Sequence, residues 1–243
     1  MINIRALLTG RKKYDDNYIQ MEFDKRGPWV TQFIINDKTY GGYYRVWEDI
    51  RPHQFFEKFP HVKTILDVGS LEGGQTFILA RHKGVTVTGI EGRSENIRRA
   101  EFVRKILGIK NVRFIHYNIE VMPLDKLGKF DAVFCSGVLY HLPEPWKFIK
   151  QVQNITSNLF LWTHFVADEK ADQIVEGYHG WWYPEGGISD PLAGLSSKSF
   201  WLTLDSLKSL LMEYDFKHID LIKIDMNHEN GPCVTLAATK SYI

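Results

Sequence analysis

Thr64-Ile-Leu-Asp-Val-Gly-Ser-Leu-Glu-Gly-Gly-Gln75 is the stretch that decides the fold. Apolar residues lead up to Asp67, then Gly69, Gly73 and Gly74 follow, and a helical pattern over 75–82 begins at once. That order predicts a strand, a tight glycine turn and a helix start. Glycine tolerates positive φ and lets a ligand approach the backbone closely. The helix N-terminus points unpaired N–H groups at whatever occupies the turn. A nucleotide-like cofactor is expected there.

Working outward, short β-rich runs alternate with helical patterns. Strands are predicted over 62–68, 85–90, 112–117, 130–135 and 159–165. Helices are predicted over 75–82, from Ser94 as N-cap to a stop at Gly108, and from Pro145 to about Asn154. In the second of these helices Ile97, Ala100, Val103, Ile106 and Leu107 form the core-facing set. Such alternation implies βαβ units and a parallel sheet covered on both faces. The ending differs. Thr203 caps a helix with Leu204, Leu207, Leu210 and Leu211 inward, and strands over 219–225 and 234–239 then follow across the short turn 227–232. They read as an antiparallel hairpin closing a mixed sheet. The expected fold is therefore α/β: a Rossmann-like doubly wound sheet of seven strands, mostly parallel. Residues 62–243 carry it, with an aromatic connection inserted at 166–202 and an irregular aromatic extension at 1–61 that covers the site or pads the sheet edge.

Composition narrows the class. The chain has 243 residues, 44% hydrophobic and 24% charged, as for a soluble globular domain with an extension. A net charge of +1 gives no global nucleic-acid footprint. Cys135 and Cys233 fall in apolar runs and read as buried free thiols, so a cytoplasmic location is expected. No apolar run approaches the roughly 20 residues of a membrane span. The run at Met1–Leu8 is too short for a signal peptide.

Ligands of open α/β sheets sit outside the carboxyl ends of the strands. Asp67, Gly69, Ser70 and Gly73 mark the first such end, Glu91 and Gly92 the second, Asn118 the third and Ser136 the fourth. Glu91, 24 residues after Asp67, is placed to accept from ribose hydroxyls. Two cofactors compete. A dinucleotide fingerprint requires a glycine where Leu71 stands, and Glu72 would repel a diphosphate. A phosphate-free adenosyl sulfonium suits an acidic turn better.

Three segments resemble the successive motifs of class I S-adenosylmethionine-dependent methyltransferases: Asp67-Val-Gly-Ser-Leu-Glu-Gly, Gly89-Ile-Glu-Gly-Arg93 and Phe130-Asp-Ala-Val-Phe-Cys-Ser-Gly-Val-Leu-Tyr-His-Leu142. The resemblance implies S-adenosyl-L-methionine as cofactor. It places Asp67 and Gly69 at the cofactor's amino-acid end, Glu91 on the ribose and Asn118 near the adenine. Asn118 and Leu71 depart from the family's usual acidic residue and glycine. Gly137-Val-Leu-Tyr-His-Leu142 and the helix start at Trp201-Leu-Thr resemble the branch containing tRNA wobble-uridine carboxymethyltransferases and related enzymes acting on small molecules or glycans.

Methyl transfer to a hydroxyl needs an aligned acceptor and a base for its proton, and histidine is the commonest base. His141, just past the fourth strand, and His164, at the end of the fifth, are the candidates, with Tyr140 beside the cofactor. Tyr178, Trp181, Trp182 and Tyr183 suggest a mobile aromatic lid over the acceptor. Asp168 and Glu169 match no dedicated ligand spacing, so no metal is expected. The reading is an O-methyltransferase acting on a small or sugar-containing acceptor. The alternatives are a tRNA-modifying transferase contacting RNA through Arg98, Arg99, Arg104 and Lys105, a dinucleotide-dependent oxidoreductase, and a non-catalytic cofactor-binding module.

Overall fold

The computed structural model describes residues 14–240, so the Met1–Leu8 run lies outside the described residues. The described part of the extension is regular rather than irregular. Helix α1 (Asp16–Arg26) starts where the Asp15 side chain accepts from the Tyr18 N–H at 2.9 Å. A hairpin of β1 (Thr31–Ile35) and β2 (Lys38–Gly41) follows. Its turn places Asn36 and Asp37 at φ 51° and 62°, a conformation these two residue types tolerate. The short β3 (Tyr44–Arg45) pairs parallel to β1, and α2 (Arg51–Lys58) carries Pro52 in its first turn. Sequence pattern missed this lobe because each strand is short and its core is aromatic rather than periodic: Phe23 packs on Trp29, Phe33 and Tyr40.

The predicted alternation then appears in order: β4 (Thr64–Val68), α3 (Gly74–Leu79), β5 (Thr86–Glu91), α4 (Ser94–Leu107), β6 (Val112–His116), β7 (Ala132–Ser136), α5 (Pro145–Ile155) and β8 (Asn158–His164). The connection 166–202 is not a loop. It forms a three-stranded antiparallel sheet of β9 (Gln173–Val175), β10 (Tyr178–Pro184) and β11 (Lys198–Leu202). Helix α6 (Leu204–Glu213) begins at Thr203, whose hydroxyl accepts from the Ser206 N–H as a cap. The hairpin β12 (His218–Asp225) and β13 (Cys233–Thr239) closes the chain. Helix α4 starts one residue earlier than expected: Arg93 is the cap position, and the Ser94 hydroxyl faces Glu95 and Arg98 instead.

The main sheet has the order β12-β13-β8-β7-β4-β5-β6. Only β13 runs against its neighbours, antiparallel to both β8 and β12. The order reverses between β4 and β7, and that switch point is where this architecture places ligands. Side chains alternate across the sheet as a period of two requires. Ile65, Phe134 and Phe160 pack with Phe55, Phe77 and Val103 on one face; Leu66, Val133 and Leu161 pack with Ile149, Val152 and Leu211 on the other. Cys135 and Cys233 are free and buried. Among the described residues no helix is long and apolar enough to cross a membrane.

Glu72 corrects the expectation that it faces the cofactor. It is fully buried and turned away from the cleft, accepting from the N–H groups of Val30 at 3.1 Å and Thr31 at 2.6 Å. Arg99 lies 3.8 Å from it, donates to the Arg26 carbonyl and covers Trp29. The carboxylate therefore clamps the N-terminal lobe onto the glycine turn. Gly74 permits the close seat, since a Cβ there would meet Val46 and Thr31 at 2.8 and 2.9 Å. Removing the carboxylate strands two buried N–H groups and a cation. Glu72→Ala is expected to lower unfolding stability by about 3 kcal/mol in a urea titration.

Candidate functional site

A cleft of about 1330 Å³ opens at the carboxyl ends of β4, β5, β7 and β8. The glycine turn forms its floor. Gly69 (φ 72°), Leu71 (φ 49°) and Gly73 (φ 86°) all adopt the left-handed region. Leu71 thus holds the strained conformation that the missing glycine would have taken freely. The turn is sewn to β5: the N–H groups of Gly69 and Ser70 donate to the Ile90 carbonyl at 2.9 and 3.0 Å. Glu91 accepts from the Leu71 N–H at 3.1 Å and the Arg93 N–H at 2.8 Å. Burial raises its carboxyl above the ordinary range, against those donors. A carboxylate has lone pairs beyond these two bonds, so Glu91 retains acceptor capacity toward the cleft that it lines.

The sequence-predicted cofactor residues separate into two groups. Gly69, Ser70, Glu91, Gly92, Ser136 and Tyr140 line the cleft. Asp67, Gly73 and Asn118 do not. Asp67 is buried behind the turn and accepts from the Thr76 hydroxyl at 2.5 Å. Gly73 sits against the Phe77 and Phe114 rings. The Asn118 side chain accepts from the Glu120 N–H, and its neighbours Tyr117, Ile119 and Glu120 reach the cleft instead. Of the aromatic set, only Tyr183 lines the cleft. Tyr178 donates to Glu213 and stacks on Trp146, Trp182 packs on Phe200 beneath Lys198, and Trp181 packs edge-on to Tyr183 and Trp201. The expected lid is a sheet whose aromatics mostly serve its own packing.

Both histidines line this one cleft. His164 ends β8, and its Nδ1 lies 2.9 and 3.1 Å from the carbonyls of Gly231 and Pro232. Carbonyls only accept, so Nδ1 carries the hydrogen and Nε2 keeps its lone pair. The ring stacks on Trp201 at 5.2 Å and meets Tyr140 and Trp162 edge-on. Burial lowers its imidazole below the ordinary value, outweighing the two carbonyls. His141 instead pairs through Nδ1 with Glu185 at 3.0 Å. Glu185 also accepts from the Ser199 hydroxyl and the Gly194 N–H. Burial pushes that carboxyl up, but His141 and these donors together hold it below the usual range.

Sequence reasoning did not identify which residues of the N-terminal lobe reach the site. Arg51 donates to Asp49 through Nε at 2.8 Å and Nη2 at 3.0 Å, and Tyr44 donates to the same carboxylate at 2.6 Å. Gln75, at the start of α3, donates to Asp49, and the Arg51 guanidinium lies 4.7 Å over the Trp162 ring. No spacing in the chain signals this cluster, because α2 and β8 lie more than a hundred residues apart. A second unforeseen device is Arg93. Its guanidinium donates to the carbonyls of Asp190 at 2.7 Å, Ala193 at 2.9 Å and Gly187 at 3.1 Å, seating the 187–194 segment on the cleft rim. Leu195 then lies against Gly92, where a Cβ would meet it at 2.4 Å. Among the described residues, no group of three or more His, Cys, Asp or Glu side chains is arranged to hold a metal ion.

A doubly wound sheet with a glycine turn at its switch point and an acidic residue ending the adjacent strand has the form of an adenosyl-cofactor fold. A methyltransferase-domain family model matches residues 61–177. The N-terminal domain of EvdMO1, solved with SAH bound, superposes with a TM-score of 0.85 at 31% identity, covering 95% of this chain and 99% of that one. The tRNA U34 carboxymethyltransferase of Psychromonas ingrahamii is 27% identical over 84% of this chain and 70% of its own length. That of Nautilia profundicola is 27% identical over 53% of this chain and 41% of its own. The chain spans about half the length of full-length EvdMO1 and less than half of the Nautilia enzyme. It belongs to the S-adenosylmethionine-dependent methyltransferase family.

The site fits that cofactor on its own terms. The Ser70 hydroxyl is buried at the turn with no hydrogen-bond partner among the described residues, and Glu91 keeps acceptor capacity beside it. Asp67 provides a test of the turn's underside. Burial raises its carboxyl from 3.8 to about 7, with the Thr76 hydroxyl opposing and Glu91 adding to the rise. The folded state thus binds a proton that the unfolded state releases, so this contribution is complete below about pH 4 and is lost as pH rises to 7. Asp67→Asn is expected to flatten that fall, measured as urea midpoints across pH 4–8.

Proposed function

We propose that this protein transfers a methyl group from S-adenosylmethionine to a hydroxyl of a small, sugar-containing acceptor, with His164 as the base. The observation that carries the reading is the His164 tautomer. A ring whose Nδ1 is fixed on two carbonyls offers a basic Nε2, and it does so in the aromatic end of the cleft. Gly69, Ser70 and Glu91 would hold the cofactor, which when bound supplies an electrophilic methyl group. Trp162, Trp201 and Tyr183 wall the acceptor and exclude water, and apolar faces of this kind stack on sugar rings. His141 stands nearer the 185–194 rim, where Glu185 fixes its orientation; we assign it to positioning beside the cofactor.

The relatives support a sugar and an RNA to different degrees. EvdMO1 has been crystallised in the presence of SAH and D-fucose, and its N-terminal domain matches nearly the whole chain. The tRNA enzymes match at lower identity. The basic face of α4 also counts against RNA: Arg98 and Arg104 pair with Glu95 and Glu101, and Arg99 is engaged with the N-terminal lobe.

The test is transfer of labelled methyl to D-fucose glycosides and, separately, to bulk tRNA. Label appearing in tRNA and in no glycoside would overturn the acceptor class. His164→Ala is expected to lower turnover by about 10²–10⁴-fold while leaving S-adenosylhomocysteine binding intact. Because burial depresses the His164 imidazole, the wild-type rate should hold below pH 6.5 and fall only as the ring protonates. A rate unchanged in the variant removes His164 from the role.

A further inference from the structure

His228 lies on the turn between β12 and β13 and has no part in the roles assigned above. Its ring lines the same cleft and stands edge-on to His164, with 4.9 Å between ring centres, and to Trp162 at 5.9 Å. The Asn230 N–H donates to His228 Nδ1 at 3.2 Å. A ring nitrogen that accepts carries no hydrogen, so neutral His228 bears its hydrogen on Nε2 and donates from there. His164 is the opposite tautomer, since its Nδ1 donates to the carbonyls of Gly231 and Pro232.

One turn therefore sets both rings. Its carbonyls at 231 and 232 make His164 Nε2 an acceptor, and its amide at 230 makes His228 Nε2 a donor. Two imidazoles of opposite hydrogen-bonding sense stand side by side at the acceptor end. A lone hydroxyl has use for only one of them: it gives its proton to the base. A hydroxyl on the neighbouring carbon offers an oxygen lone pair to the donor. The buried Trp201 Nε1, without a partner among the described residues, adds a further donor in the same wall.

We propose that His228 is a specificity-determining residue: its Nε2–H binds the hydroxyl adjacent to the one methylated, so that the cleft selects vicinal diols. The proposal rests on the hydroxyl-methylation reading above and names its substrate class. His228 keeps its proton throughout and contributes nothing to the removal of the acceptor's proton.

The experiment uses methyl β-D-galactopyranoside and its monodeoxy analogues with the full chain. The position methylated is located in the product, and kcat/KM is compared between the parent and the analogue lacking the adjacent hydroxyl. Wild type is expected to prefer the parent by about tenfold, the worth of one hydrogen bond at a half-exposed site. In His228→Ala that preference should collapse, kcat/KM for the parent falling to the level of the deoxy analogue. His228→Gln, whose side-chain amide still donates, should restore it. Nitrogen-15 spectra of the imidazoles give a readout independent of turnover: hydrogen on Nδ1 of His164 and on Nε2 of His228. Parent and deoxy acceptors used equally by wild type, a preference surviving in His228→Ala, or hydrogen on Nδ1 of His228 would each overturn the assignment while leaving methyl transfer intact. No transfer to any galactoside, with label entering tRNA instead, overturns the acceptor class and the His228 role together.

Discussion

The buried Glu72 carboxylate is the contact on which the site's construction depends. It sits inside the glycine turn that floors the cleft, yet its hydrogen bonds run outward to the backbone of residues 30 and 31. Three regions far apart in sequence meet there: the turn, the N-terminal lobe and Arg99 of α4. With the lobe fixed in that seat, Asp49 reaches Gln75 and Arg51 reaches Trp162. Burying a carboxylate is costly unless donors surround it. Here the backbone amides and a guanidinium supply them, and one wall of the cleft is built as a result.

The opposite wall depends on strand direction. In an all-parallel sheet, the neighbour of β8 would bring its own carboxyl end to the cleft. Because β13 is antiparallel, it brings its beginning, with Cys233 in register with His164. The carbonyls just before that strand are thereby delivered to the His164 ring. The closing hairpin is more than an edge completion: it determines which nitrogen of the histidine carries hydrogen.

The sheet was legible because its strands are continuous apolar runs separated by helices with clear stops, such as Gly108 at φ 66°. The seven strands, the glycine turn and the terminal hairpin all follow from local pattern. What local pattern does not carry is direction of facing. Glu72 reads as part of an acidic turn, and only the packed lobe shows that it points away. Tyr178 and Tyr183 lie in one aromatic run and look equivalent, but they fall on different sides of β10: Tyr178 packs into the core with Trp146, and Tyr183 meets the cleft. The Asp49–Arg51 cluster was invisible for another reason. Its partners Gln75 and Trp162 are remote in sequence, and short strands stabilised by aromatic packing give no periodic signal.

Arg93 holds the 187–194 rim entirely through carbonyl oxygens. Every residue type offers a carbonyl, so the clamp is blind to the side chains it secures. The rim can therefore exchange its outward-facing residues, among them the exposed Ile188 and Leu192, without losing its place over Gly92. Such an arrangement separates two inheritances. The backbone path along the cleft rim can stay constant down a lineage, while the side chains it displays drift one substitution at a time.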